Sequence, residues 1–376
     1  MLAFVGHFAF CLGLWTFVHL PGYLEGMGGG QTEIGIIMGV LSVSAIVFRP
    51  TIGRLMDRRG RKPVVLGGAA INLLAVCAYL TADSLGPWIY VIRIVHGIGE
   101  AALFSVFFTI AADIVPASRR TEGIAIFGVS GLLPLSLGGL IGDVILGHWD
   151  YSVLFLFSAI VSLIALLLCT AIPETRPPRQ NTGTPTSLLE IFLAPNLIPL
   201  WILTFGFTCG LTSYFTFLKT YIGETQVGSV GLFFLAYSTA AVVCRLFFSW
   251  IPERVGLRRM LVPMLFSLSA GILMLAYAQN ATTVAAAGVF CGLGHAYVFP
   301  IVSALVVSRA DDDNRGAAMT MYTALFDLGA LVGAPLFGRI IEMSSYQTMF
   351  VTAVSFVVVF SILFFIVDRR LTQSSF

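Results

Sequence analysis

An all-α polytopic membrane protein is the fold this 376-residue sequence predicts, with twelve transmembrane helices in two six-helix pseudo-symmetric bundles. Three observations lead there. The chain is 57% hydrophobic and 11% charged, with a mean hydropathy of +0.93. Its apolar runs last about twenty residues, enough to cross roughly 30 Å of hydrocarbon, and are apolar on nearly all sides. The second half also repeats the first at a near-constant offset. A soluble core would show polar faces at helical or strand period, and a β-barrel would alternate, so neither fits.

The spans fall at 2–24, 33–55, 63–82, 86–112, 121–146, 152–172, 196–222, 227–251, 259–279, 282–308, 316–341 and 347–367. Span 1 follows Met1 with no basic region or cleavage site before it, and is expected to be retained. Glu25 marks the break after it, and the charge-rich "GRLMDRRGRK" (Gly53–Lys62) separates spans 2 and 3. Asp83, the Arg119–Arg120 pair and Asp150 punctuate spans 3 to 6. "PETRPPRQNTGTPTS" (Pro173–Ser187), rich in proline and small polar residues, reads as a linker. The expected domains are therefore 1–172, a cytoplasmic linker at 173–195, and 196–376. In the second half Glu224, "SWIPERVGLRR", the Arg309–Arg315 segment and the Arg369–Arg370 tail mark further breaks.

Sixteen of the 21 Lys and Arg residues lie in alternate connections and at the tail. By the positive-inside rule both termini are expected in the cytoplasm, with the protein in a bacterial inner membrane. The net charge of +2 says little about partners, and no separate basic surface suits nucleic acid. The expected partners are the lipid bilayer and a small-molecule substrate, with the protein a monomer. Six cysteines fall inside apolar runs with no CxxC pair, and read as small core residues, not as a disulfide or metal framework.

An offset of 196 carries Asp57 to Glu253, Arg58 to Arg254, Gly60 to Gly256 and Arg49 to Arg245. An offset of 195 lays "GIGEA" (Gly97–Ala101) on "GLGHA" (Gly292–Ala296). Repeated bundles of this kind are found in secondary transporters.

Ionisable groups at membrane depth are functional candidates by default. In span 4, Arg93, His96 and Glu100 are spaced by three and four residues and share a helical face, expected to line a water-accessible cavity. Glycines 97 and 99 beside it permit close approach of another helix. Glu100, near mid-membrane, is a candidate proton carrier, or else the partner of Arg93 or of a residue on another helix in an intramembrane salt bridge. His295 is its repeat mate in span 10. With His19 in span 1 and Lys219 in span 7, these side chains favour the first helix of each three-helix unit. Trp15, Tyr23, Tyr214, Tyr221, Tyr297 and Phe299 are candidate cavity walls or interface anchors. Asp327 in span 11 reads as a second proton site or as the partner of a buried base. Arg49 and Arg245 are assigned to structure and gating, and His7 to structure.

The pattern G-x-x-x-D-R-x-G-R-K at Gly53–Lys62 resembles the signature loop of the major facilitator superfamily. So do the 6+6 spans, the weaker copy at Ser249–Arg259, "RIVHGIGEA" in span 4 and "PET" closing span 6. The resemblance implies the major facilitator fold, spans 1, 4, 7 and 10 lining a central cavity, and a conformational latch. In the family the loop Asp contacts the start of span 11 in the outward-open state, and its Arg residues pair with an acid ending span 4. Asp57, Arg58 and Asp113 stand at the matching positions, and the latch set is completed by Gly53, Gly60, Arg61, Glu253, Arg254 and Gly256. "GVSGLLPLSLGG" in span 5 is similar to the glycine/proline motif of proton-coupled exporters, except that Pro134 follows Gly131 by three residues. It fits an antiporter or simply a kinked helix.

No GxxxxGK[ST], HExxH or GxSxG string occurs, so direct ATP use and those enzyme classes have no motif here. The expectation is a secondary transporter working by alternating access, with no cofactor and the proton gradient as energy source. Proton-coupled efflux of a small organic solute leads. Uptake of a small organic acid or sugar, by symport or uniport, is the alternative.

Overall fold

The structure, a computed structural model, describes residues 1–115, 120–176, 188–311 and 314–374. The body of the predicted linker and Arg119 and Arg179 lie outside the described residues. Among the described residues twelve helices are long and apolar enough to cross a membrane. They are span 1 (Leu2–Gly26), span 2 (Gln31–Arg59), span 3 (Arg61–Thr81), span 4 (Pro87–Ile114), span 5 (Ile126–His148) and span 6 (Tyr151–Thr170). The second six are span 7 (Ile198–Thr225), span 8 (Val230–Phe247), span 9 (Leu257–Ala276), span 10 (Ala281–Arg309), span 11 (Arg315–Met343) and span 12 (Tyr346–Leu371). An even number of spans leaves both termini at one end of the molecule, here called the terminal end.

The repeat is visible as packing. Gly97 of span 4 lies against the Leu41 carbonyl of span 2, and its mate Gly292 of span 10 against the Tyr237 carbonyl of span 8. Gly99 meets Asn72 of span 3, and Gly294 meets Leu268 of span 9. A Cβ at any of the four would collide with a neighbouring helix, so glycine sets the interhelix distance.

The copies differ at the end of span 8. Pro252 has no N–H to donate to the Phe248 carbonyl, so the helix stops at Phe247 and a short helix, Ile251–Val255, restarts beyond it. The Phe248 carbonyl accepts from the Ile251 N–H at 3.2 Å and from the Tyr297 hydroxyl at 3.0 Å. Span 2 carries Pro50 inside the helix and runs unbroken to Arg59. All six cysteines are free and five are buried, whereas Cys77 is exposed on span 3.

Between the described side chains, the hydrogen bonds and ion pairs joining the two halves lie at mid-span or toward the end opposite the termini. There, glycine faces close the halves together. Gly35 meets Ala334, Gly39 meets Leu331, Gly338 meets Gln31, and a Cβ at Gly139 would lie 3.2 Å from the Gly231 Cα.

Candidate functional site

The side chains singled out in span 4 separate into two environments. Arg93 is 3% exposed and His96 0%, so neither faces open space. The Arg93 guanidinium donates to the carbonyls of Ile37 (3.1 Å) and Met38 (3.0 Å) on span 2 and to the Tyr79 hydroxyl (3.4 Å). His96 Nδ1 lies 3.2 Å from the same hydroxyl, and its ring packs on Phe17 and Tyr79. The shared face therefore points into the first bundle, correcting the cavity role read for Arg93 and His96. The physical reason is that buried guanidinium donors must be satisfied, and span 2 carbonyls are within reach.

Glu100, two turns on, forms no ion pair with Arg93. Its Oε2 is buried without a hydrogen-bond partner. The charges that bear on it are Arg93, Asp327 and Arg49. The last two form an ion pair of 2.6 Å between span 2 and span 11, across the two halves. Asp327 is thus the partner of a partly buried base, and Arg49 also reaches Ser105 at 3.5 Å.

His19 and Lys219 belong to the seal. A 3₁₀ segment, Thr16–His19, turns the His19 ring toward span 5, where Nε2 donates to the Gly139 carbonyl at 3.0 Å. Its ring is 0% exposed, so it lines no open space, and Gly142 leaves room for it. The Lys219 stem packs along Gly22, and its charge acts on Asp143 and Glu25. Asp143 in turn lies 4.0 Å from His19 Nε2.

Two carboxylates outside the predicted set complete that seal. Asp143 on span 5 accepts from the Gly231 N–H at 2.6 Å, at the start of span 8. Glu342 on span 11 accepts from the Thr32 N–H at 3.0 Å and the Thr32 hydroxyl at 2.5 Å, at the start of span 2. Each is a carboxylate set on the positive end of a helix in the other half. The only signal in the sequence was their placement: an offset of 199 takes Asp143 to Glu342 and Gly231 back to Thr32.

In the second half, His295 bonds through Nδ1 to the Tyr237 hydroxyl. Tyr214 is fully buried against Phe215, Phe233 and Tyr237. Tyr297 lies on the opposite helical face from His295, lining an apolar groove of about 660 Å³ between spans 8, 9 and 10. It is not a cavity neighbour of His295, because two residues turn a helix through about 200°.

The loop after span 2 is built around Gly60, whose φ of +101° suits glycine. Arg61, rather than Arg58, meets Asp113, at 2.9 Å, and also donates to the Met56 carbonyl. Arg58 is exposed, and its carbonyl accepts from Arg176. Asp57 is exposed and, among the described residues, pairs with Arg61 at 3.6 Å; the expected contact with the start of span 11 is not made among them. Nothing lies within 4 Å of a Cβ at Gly53, so that glycine answers to no close approach. In the copy, Gly256 has a φ of +97°, Glu253 is exposed, and Arg254 sits 4.5 Å over Trp250. Buried Asp368 of span 12 takes the role of Asp113, pairing with Arg258 at 3.0 Å and Arg309 at 2.6 Å.

Twelve membrane-crossing helices in two related halves, sealed at one end and joined at mid-span by an ion pair, define an integral membrane protein built on a repeated bundle. The sequence profile of the Major Facilitator Superfamily matches residues 3–228 and again 224–375, and the chain belongs to that family. It is 23% identical to the staphylopine export protein of Staphylococcus aureus (strain Mu50 / ATCC 700699), over 93% of this chain and 90% of that one. It is 27% identical to the class H tetracycline resistance protein of Pasteurella multocida, over 83% and 80% of the two chains. Its fold is similar to that of the nucleoside transporter NupG, with a TM-score of 0.78 at 15% identity over 97% and 98% of the chains. The human organic anion transporter MFSD10 (TETRAN) gives a TM-score of 0.75 at 18% identity, over 96% and 98%. The protein is a transporter of small solutes, and its relatives are transporters and not enzymes.

Proposed function

We propose that the protein exports a small organic solute in exchange for protons, by alternating access of a central site to the two sides of a bacterial cytoplasmic membrane. Both termini face the cytoplasm on this reading, so the conformation described here is sealed outside and faces inward. The observation that carries the proposal is the Glu100 carboxylate, buried at mid-span with one oxygen lacking a hydrogen-bond donor. A group that loads and releases a proton needs both forms to be tolerated. The charges of Arg93, Asp327 and Arg49 all act on Glu100. The Arg49–Asp327 pair bridges the halves, so its making and breaking with conformation would change the field at Glu100. The protein works as a monomer with no cofactor, the proton gradient supplying the energy.

The export direction rests on the staphylopine exporter and the tetracycline resistance protein among its relatives. The test is proton flux in liposomes carrying a pH dye, with cationic, neutral and anionic solutes offered to the wild type and to Glu100→Gln. Solute-dependent proton movement lost in Glu100→Gln is the expected result. Solute flux without proton movement would reject proton coupling.

A further inference from the structure

Arg49 and Arg245 occupy corresponding places in the two halves, yet among the described residues only one has a counter-ion. The Arg49 guanidinium is paired with Asp327 at 2.6 Å. Arg245 forms no hydrogen bond or ion pair among the described residues, and its Nε is buried without a partner. The groups acting on its charge are the phenols of Tyr237 and Tyr322, with no carboxylate among them. It acts in turn on His295, which holds the Tyr237 hydroxyl through Nδ1.

The glycine across from it is the second observation. Asp327 stands fifteen residues before Glu342 in span 11, and Gly128 fifteen residues before Asp143 in span 5 (342 − 327 = 143 − 128). Glu342 and Asp143 cap the matching helices, so Gly128 falls where the two-fold-related interface has its acid. The geometry agrees, since Arg245 Nη1 lies 2.8 Å from where a Cβ at Gly128 would be. An arginine near a helix end can snorkel to the interface. This one is turned inward against the other half, and an unpaired cation at membrane depth is heavily penalised.

We propose that Arg245 is the residue that recognises the solute, pairing with a carboxylate of an organic anion where the other interface has Asp327. A planar guanidinium matches a carboxylate bidentately, and the His295–Tyr237 pair flanks the site. The substrate class is thereby an organic acid, and the inference rests on the transporter reading above.

The test uses the purified full-length protein in detergent. Its thermal midpoint is titrated with sodium benzoate, citrate and inorganic phosphate, and with tetraethylammonium at matched ionic strength. The wild type is expected to be stabilised saturably by benzoate or citrate and not by tetraethylammonium. Arg245→Gln is expected to weaken that binding roughly thirtyfold or more, and Arg245→Lys less. Gly128→Asp supplies the acid that Asp327 supplies elsewhere. It is expected to abolish the response while keeping or raising the ligand-free midpoint, which shows that the protein is folded. No carboxylate response in the wild type, a response to phosphate alone, or an undiminished response in Gly128→Asp or Arg245→Gln would overturn the proposal. Carboxylate binding that depends on Arg245, in a protein that moves no solute in liposomes, would sink the transport reading and leave this site standing.

Discussion

Glu174 receives four backbone N–H groups, from Arg61 and Lys62 at the start of span 3 and from Thr175 and Arg176 beside it. Partial burial disfavours its ionised form, but the four donors outweigh this and hold the carboxyl below its ordinary 4.5. A carboxyl lowered in the folded state contributes stability that is fully present above its ordinary value. That contribution fades as pH falls through the lower, folded one. Glu174→Gln should therefore lower the thermal midpoint at neutral pH, and the gap from wild type should close on acidification below 4.5. A gap constant with pH would show that the carboxylate does not act through its charge. For Asp327, whose side chain is 20% exposed against 16% for Arg49, Asp327→Asn leaves a guanidinium without its counter-ion. The expected loss in chemical denaturation is about 2 kcal/mol, below the roughly 3–5 kcal/mol of a fully buried pair. Combining it with Arg49→Gln should cost less than the sum of the singles, and strict additivity would mean the pair is not coupled.

At the scale of helices, the two carboxylate caps are the parts most open to a direct test. Each is worth about 0.5–1 kcal/mol, so Asp143→Asn with Glu342→Gln should shift the opening equilibrium roughly five- to thirtyfold. Spin labels on the exposed loop residues Asp83 and Gln226, one in each half, would report it as a growing long-distance population. An unchanged distance distribution would strip the caps of any gating role. The helices were legible in the sequence because hydropathy and length are local properties, and the repeat because Gly97 and Gly292 keep their spacing. Partner choice was not legible. A charge inside span 4 is visible in the sequence, but whether Arg93 meets Glu100 or a span 2 carbonyl depends on helix rotation and interhelix distance. Asp143 and Glu342 are illegible for the same reason, since each acts on a helix start in the opposite half. The Pro252 break follows from proline chemistry, and it ends span 8 four residues before the point at which hydropathy alone ends it.

For the whole molecule, the caps and the glycine contacts join the halves away from the terminal end and the ion pair joins them at mid-span, while the signature loop leaves Asp57 exposed. On the proposed alternating-access reading, a loop free at one end while the other end is closed is what a two-half transporter requires. The resemblance in the loop named the family, but the solute was never written there, because recognition belongs to a few side chains on the scaffold. The glycine faces at the closed end carry a mechanical consequence. Where Gly35 and Gly338 lie against backbone of the other half, no side chains interlock like gear teeth. The halves meet there as smooth bearings, held by contact area and the charged caps, and can part without any rotamer having to turn.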